Sequence, residues 1–432
     1  MKEPEAHPRA GHPDARPDAR PDAALAALPP AWVVGGAVLP FGLVVGFTIT
    51  ALPFLLTRAG VALDTVAGVS ATVMSPTFWG FLLQPLMDTG LTRRAYCWLT
   101  AGVAAVCIAA ALAVLSPHQL GAATVLLLLA ELAIVLYSGA LTGWTAEITP
   151  DTRRGAVSGW TNVANLGAGA LGAMAVMSLS QKVALHTLGL GLGAAIVLGV
   201  VPTAWFPSPS RSQFHFRQIF TSALKTVWRA ARTPECLTGF AMFLAPASTV
   251  AAINLFSGLG DSFHAPAATV IWVTGAGVAI FSSVGALLGG YAADRVSRGR
   301  LYLGAGLAAG ITALAMAYAP RDAATFVIGV LVYNGVAGVA YAAFNALGYE
   351  IVGRHSPVAS TQLGLFGAAT NGAIVYMTWA DGQGFKHFGA RGLLLTDALA
   401  ALVAGTLLLI LLGRRLRRAP AAEPPLAGSS AQ

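Results

Sequence analysis

The sequence predicts an all-α membrane protein of twelve transmembrane helices, arranged as two six-helix bundles related by an internal repeat. Composition is the first reason. Of the 432 residues 56% are hydrophobic and only 10% are charged, against about a quarter charged in ordinary soluble domains. Nine of the 44 charged residues lie in residues 1–30 and five more follow Gly413, so the stretch between is too poor in charge to fold as a water-soluble enzyme. The second reason is a succession of twelve apolar runs, each near the ~20 residues that a bilayer crossing requires. The third is the recurrence of acidic run ends at an offset of about 203 residues.

The chain opens with Pro13-Asp-Ala-Arg-Pro-Asp-Ala-Arg-Pro-Asp-Ala, a repeat whose prolines and balanced charges oppose helix formation and burial. Residues 1–30 are therefore expected to form a disordered cytoplasmic tail without a cleavable leader. The apolar runs cover residues 31–56, 65–87, 95–115, 122–147, 155–180 and 184–206, then 236–258, 266–292, 301–319, 323–350, 357–380 and 390–412. The implied organisation is an N-terminal bundle at 31–206, a cytoplasmic linker at 207–235, a C-terminal bundle at 236–413 and a cytoplasmic tail at 414–432. Within the linker, Phe216, Ile219, Phe220, Ala223, Leu224, Val227 and Ala231 share one helical face opposite Lys225, Arg229 and Arg232. This predicts a helix lying on the membrane surface.

With an even number of crossings both termini lie on one side, and the connections fall into two sets. One set carries 21 of the 26 Lys and Arg residues and the other carries five. Cytoplasmic loops retain positive charge, so both termini and the linker are assigned to the cytoplasm of a bacterial inner membrane. The net charge of +8 is thus accounted for by topology, and nucleic acid is not an expected partner. Cys97, Cys107 and Cys236 have no metal-ligand or redox spacing and are expected to pack as small hydrophobes. No cofactor or metal site is expected.

The repeat is clearest at the run ends. Gln84-Pro-Leu-Met-Asp88-Thr-Gly-Leu-Thr-Arg93-Arg94 closes the second run and Gly290-Tyr-Ala-Ala-Asp294-Arg295-Val-Ser-Arg298-Gly-Arg300 closes the eighth. Glu147 ends the fourth run and Glu350 the tenth. Near the membrane boundary, ion pairs are stronger than in water. Asp88 is expected to pair with Arg93 or Arg94, Asp294 with Arg295 or Arg298, and Glu147 with Arg153 or Arg154. Such pairs would either latch the two bundles at the cytoplasmic side or only fix loop geometry.

These two stretches, and Glu147-Ile-Thr-Pro150-Asp-Thr-Arg-Arg154-Gly155, resemble the loop pattern Gly-x-x-x-Asp-Arg-x-x-Arg/Gly-Arg and the Glu-x6-Arg-Gly element of the major facilitator superfamily. The first copy departs from the pattern, with Gln84 for the glycine and Thr89 for the first arginine, which on this resemblance weakens that gate. The Pro85-Leu-Met-Asp88 run and the Gly-rich stretch from Ala156 to Gly172 are also similar to the muropeptide and acetyl-CoA permease branch. The resemblance implies a monomeric permease moving a solute by alternating access, through a cavity lined by the first, fourth, seventh and tenth helices.

Glu131 lies 16 residues before Glu147 in the fourth run, at membrane depth, where a carboxylate is a functional candidate by default. Ser138 and Thr142 share its face. The equivalent stripe in the tenth run, 203 residues on, holds Asn334, Tyr341 and Asn345. Thr48, Asn162, Asn165, Asn254 and Asn371 add polar groups on neighbouring helices. Each is a candidate cavity residue or a packing hydrogen bond. Glu131 has no intramembrane Lys or Arg to pair with and is the preferred proton carrier. Asp397 is the second candidate, its alternative being a near-surface acid that reaches water or Arg391. Asp261 and Asp381 are placed still nearer the outer surface and set aside.

No Gly-x4-Gly-Lys-Ser/Thr loop is present to hydrolyse ATP. Without intramembrane basic residues, strongly anionic substrates would be desolvated without a matching charge, which argues against acetyl-CoA-like cargo. The expected function is secondary, proton-coupled transport of a neutral, zwitterionic or cationic small solute. The alternative is a transporter-fold sensor or assembly factor, and an enzyme is not expected.

Overall fold

The computed structural model describes residues 29–61, 63–88, 90–207, 228, 232–353, 356 and 358–412. Among these the chain forms helices and no strand, and nine helices are long and apolar enough to cross a membrane. The protein is an integral, multi-pass membrane protein. The two tails and the amphipathic stretch from Phe216 to Ala231 fall almost wholly outside the described residues.

Numbered along the chain, α1 is Ala31–Leu56, α2 spans residues 63–88, α3 is Arg93–Val114, α4 is Leu120–Ile148, α5 is Arg154–Leu179 and α6 is Leu185–Val200. In the second half α7 spans residues 234–259, α8 is Ala268–Ala293, α9 is Arg298–Tyr318, α10 is Ala323–Val352, and α11 and α12 span residues 359–388 and 390–412.

Three departures separate nine long spans from twelve apolar runs. First, α11 and α12 form one 54-residue helical stretch, interrupted only at Gly389 with φ 63° and ψ −157°. The loop expected at 381–389 is mostly helix, so Asp381 lies in α11. Second, α2 is broken into Leu63–Met74, Pro76–Trp79 and a 3₁₀ segment Gly80–Asp88 containing Pro85. Each proline removes an N–H donor and crowds the preceding turn. Third, α7 stops at Leu244, where Pro246 follows an extended Ala245. It resumes as a 3₁₀ segment, Ala251–Leu259, after Val250 at φ 47°.

Near its C-terminal end α1 contains a π-turn, Phe47–Ala51, which shifts the hydrogen-bond ladder so that Leu52 N–H reaches Phe47 O. Pro53 follows directly and has no N–H to give to Ile49, so the ladder opens there.

Each half has its own apolar interior. In the first half Phe47, Ile108, Ile134, Tyr137, Trp144 and Ile196 are fully buried in one cluster. The second half has two clusters, one around Phe256, Phe326 and Tyr333, the other around Phe243, whose ring meets Tyr302, Phe344 and Phe366 edge-on. The halves meet where α5 packs on α8 and α10, and where α2 and α4 pack on α11. At Gly155 and Gly290 the backbones touch: a Cβ at Gly155 would lie 2.2 Å from the Gly290 carbonyl oxygen. Small residues permit such approach between membrane helices.

Candidate functional site

At the end bearing the basic loops the two halves are latched by two equivalent devices. Asp88, at the end of α2, reaches the N-terminus of α11. Its carboxylate accepts from Ser360 N at 3.2 Å, Thr361 N at 3.1 Å and Thr361 Oγ1 at 3.0 Å. Asp294, at the end of α8, reaches the N-terminus of α5, accepting from Gly155 N at 2.6 Å and Ala156 N at 2.8 Å. A helix N-terminus presents unsatisfied N–H groups and a partial positive charge, so each acid meets a ready anion site in the opposite half. Burial pushes the Asp294 carboxyl above its usual range, against the pull of the two N–H groups and of Arg298.

Arginines complete each device. Arg93 pairs with Asp88 at 3.0 Å and Glu147 at 2.8 Å, and also donates to Gly143 O. Arg298 pairs with Glu350 at 2.8 Å, lies 3.8 Å from Asp294, and donates across the interface to Asp151 O. The ion pair seen for Glu147 is thus with Arg93, where the sequence pointed to Arg153 or Arg154. Arg93 projects from the start of α3 toward the end of α4, while Arg154 pairs with Asp151 at 2.9 Å on its own turn. Arg94 donates to Phe206 O and sits over the Trp144 ring. Arg295 lies flat on Tyr291, and Arg153 is half-buried beside a small cleft near Pro29. Despite Gln84 and Thr89 in place of the pattern residues, Asp88 receives its full set of donors.

Beyond the latch, a cavity of about 270 Å³ lies between the halves. Seven of the residues singled out in sequence line it: Ser138, Thr142, Asn162, Asn165, Tyr341, Asn345 and Asn371. None of the lining side chains is charged, and Phe41, Phe81, Phe344 and Phe366 supply aromatic walls. Sequence reasoning passed over Gln84 except as a departure from a pattern. Its side chain occupies the space that Cβ atoms on Gly139 and Gly364 would need, so it bridges α4 and α11 at the cavity. Its Oε1 is buried with no hydrogen-bond partner. The legible signal was a long amide at the position where the repeat has glycine. Among the described residues the main contacts between the halves run along α5–α8, α5–α10, α4–α11 and α2–α11.

The remaining candidates lie elsewhere. Glu131 is 1% exposed, and its Oε2 is 3.0 Å from Thr48 Oγ1, which is also 2.9 Å from Val44 O. Thr48 stands in the π-turn of α1, so Glu131 sits inside the first bundle and does not line the cavity. Asn334 is buried and donates to Val330 O of its own helix. Asn254 is exposed and donates to Thr378 at 3.0 Å. Asp397 is 2% exposed and accepts from Tyr333 Oη at 2.7 Å, so it is a core residue. Arg391, with water the partner under the alternative near-surface reading, lies over the Tyr318 ring. Asp381, set aside in sequence as near-surface, is fully buried. Cys97 and Cys236 are buried and Cys107 is partly so, none in a disulfide.

Residues 238–430 match the family model described as Major Facilitator Superfamily. No curated protein matches the chain in sequence. Solved transporters share its fold. The human organic anion transporter TETRAN is 17% identical, with 90% of this chain and 100% of that chain covered and a TM-score of 0.62. A proton:xylose symporter bound to 6-bromo-6-deoxy-D-glucose is 10% identical, over 91% and 96% of the two chains, with a TM-score of 0.66. A third transporter of the superfamily, solved in an outward conformation, is 14% identical over 88% and 99%, with a TM-score of 0.65.

Proposed function

We propose that this chain, a major facilitator superfamily protein by its fold and by the match of its second half, is a secondary active transporter of a neutral, hydroxyl-rich small solute. The observation that carries this reading is the uncharged cavity between the halves. Amides and hydroxyls from α2, α4, α5, α10 and α11 converge there beside aromatic walls, with nothing to offset a charged cargo. Polar groups left unpaired on removal from water are costly, so a solute with many hydroxyls is matched by a lining with many amides. A proton:xylose symporter and a fucose:proton symporter share this fold, which agrees with this chemistry.

In this reading the latch end faces the cytoplasm and the described conformation opens outward. Alternating access then requires Asp88 and Asp294 to leave the N-termini of α11 and α5 together. Glu131 carries the proton. The single Thr48 hydroxyl proton cannot serve both Val44 O and Glu131 well, and a protonated Glu131 supplies the second hydrogen bond itself. Loss of that proton would leave a buried carboxylate beside the π-turn of α1, a strong incentive for α1 to move against α4. Asp397 is the second titrating acid.

The test is luminal pH in proteoliposomes as sugars, polyols, amino-sugar peptides, amino acids and cationic drugs are added in turn. A sugar or polyol is expected to trigger a pH change that Glu131→Gln abolishes while solute exchange persists. Concentrative uptake retained in full by Glu131→Gln would remove that residue from coupling. A response confined to cationic solutes would overturn the substrate class.

A further inference from the structure

The second bundle holds a pair of acids that the cavity does not use. Asp397 of α12 and Asp381 of α11 are 2% and 0% exposed. The turn at Gly389 packs α11 against α12 beside both acids: a Cβ at Gly384, three residues from Asp381, would lie 2.5 Å from Oγ1 of Thr396, the neighbour of Asp397. Their surroundings are unequal. Asp397 accepts from Tyr333 Oη at 2.7 Å and from the Ala252 N–H, which the unwound 3₁₀ segment of α7 leaves free of a helical partner. Both oxygens of Asp381 are buried with no hydrogen-bond partner. The titratable group bonded to the pair is Tyr333; of the neighbouring arginines, Arg391 lies over the Tyr318 ring and Arg321 over the Phe263 ring.

Two donors stabilise the charge on Asp397, and none stabilises that on Asp381, so the cluster is one positive charge short. Protonating Asp381 would remove the charge but still leave its oxygens without partners. A small cation bound by its oxygens satisfies both needs. A divalent ion would need six or more oxygen ligands or retained waters, more than two acids and one tyrosine supply. We propose that Asp381 and Asp397, held by Tyr333, form a binding site for one Na⁺ ion that protons displace. Where the transporter reading of the chain also holds, Na⁺ bound here makes solute movement Na⁺-sensitive; the binding itself does not depend on that reading.

Thermal unfolding of the purified protein in detergent tests it, in NaCl, LiCl, KCl and choline chloride at matched ionic strength and at two pH values. Na⁺ and Li⁺ are expected to raise Tm saturably, by several degrees, with K⁺ and choline inert. If one proton competes with one ion, the half-saturating Na⁺ concentration rises up to about tenfold per pH unit of acidification. Asp381→Asn should abolish the shift and Tyr333→Phe should move it to higher Na⁺. If Asp381→Asn does not fold, Asp397→Asn takes its place. Glu131→Gln should keep the full Na⁺ response, so a failure of proton coupling and a failure of this site give different results. A wild-type protein indifferent to Na⁺, a shift produced equally by K⁺ or choline, or one that survives Asp381→Asn would each overturn the proposal.

Discussion

Asp88 and Asp294 do the same thing from opposite halves: each ends an even-numbered helix and seats its carboxylate on the N-terminus of a helix across the interface. The bundle interiors show no such agreement. In the first half one acid, Glu131, is bonded to a hydroxyl in the π-turn of α1, and its repeat partner in the second half is the amide of Asn334. The second half instead buries two acids on α11 and α12, where the first half has none. On the transporter reading both sides of the latch must release together, which accounts for the symmetry there. Charge buried inside one bundle is a private matter of that bundle, and the repeats have diverged in it.

The largest expected effect probes the closeness of the latch. A Cβ at Gly155 would meet backbone, the Gly290 carbonyl at 2.2 Å, whereas one at Gly143 would meet a side-chain atom, Ser360 Oγ, at the same distance. Overpacking costs ~1–3 kcal/mol, a shift of about 5–150-fold in the ratio of latched to open forms. Gly155→Val should therefore expose basic-end cysteine probes to labelling and stop solute flux. Gly143→Ala should do so only weakly, because a serine side chain rotates and a backbone carbonyl does not. Equal labelling of the two variants would mean that backbone contact does not hold the latch.

Next come the acids themselves. Asp88 takes four donors, one of them an arginine at 3.0 Å, and Asp294 takes two amides with its arginine farther off at 3.8 Å. Hydrogen bonds to a charged group contribute about 1.5–3 kcal/mol. Asp88→Asn should open the latch end more than Asp294→Asn, with the order read from labelling rates. The reverse order would show that neither the number of donors nor the closeness of the arginine sets the balance.

The smallest effect lies at the N-terminal ends of the repeated pair α4 and α10. Asp322 caps α10, accepting from Thr325 N at 2.7 Å, while α4 starts at Gln119 with no side-chain cap. The Thr325 N–H and hydroxyl hold the Asp322 carboxyl below the usual carboxylate range. A depressed acid stabilises the fold above its unfolded-state value and loses that contribution as pH falls through its folded value. Asp322→Ala should lower Tm slightly near neutrality, and the difference should vanish in acid. A difference that persists after acidification would place its origin in packing, not charge.

Much was legible before any coordinates. Apolar runs, basic loops and the repeated Asp88 and Asp294 gave the all-helical membrane fold and both latch acids, because burial in lipid constrains composition directly. Of the seven cavity residues, Ser138, Thr142, Tyr341 and Asn345 followed from helical spacing and the repeat, since residues on one face of a long helix stay together, and Asn162, Asn165 and Asn371 from being polar groups on neighbouring helices. Spacing could not say which neighbour a face meets. It therefore set Glu131 in the pathway, where the structure encloses it between α1 and α4, and it paired Glu147 with the nearest arginine in sequence, where α3 delivers Arg93.

The sequence by itself determined what must leave water: the helices, their orientation relative to the basic loops, and the scarcity of charge within them. Each of those is a property of a segment and its solvent. Tertiary structure alone decided partnership. The burial of Asp381 depends on α11 continuing as helix to residue 388 and turning back at Gly389, and the placing of Gln84 depends on glycines in two other helices. Such contacts join residues far apart in the chain, and no local pattern records them.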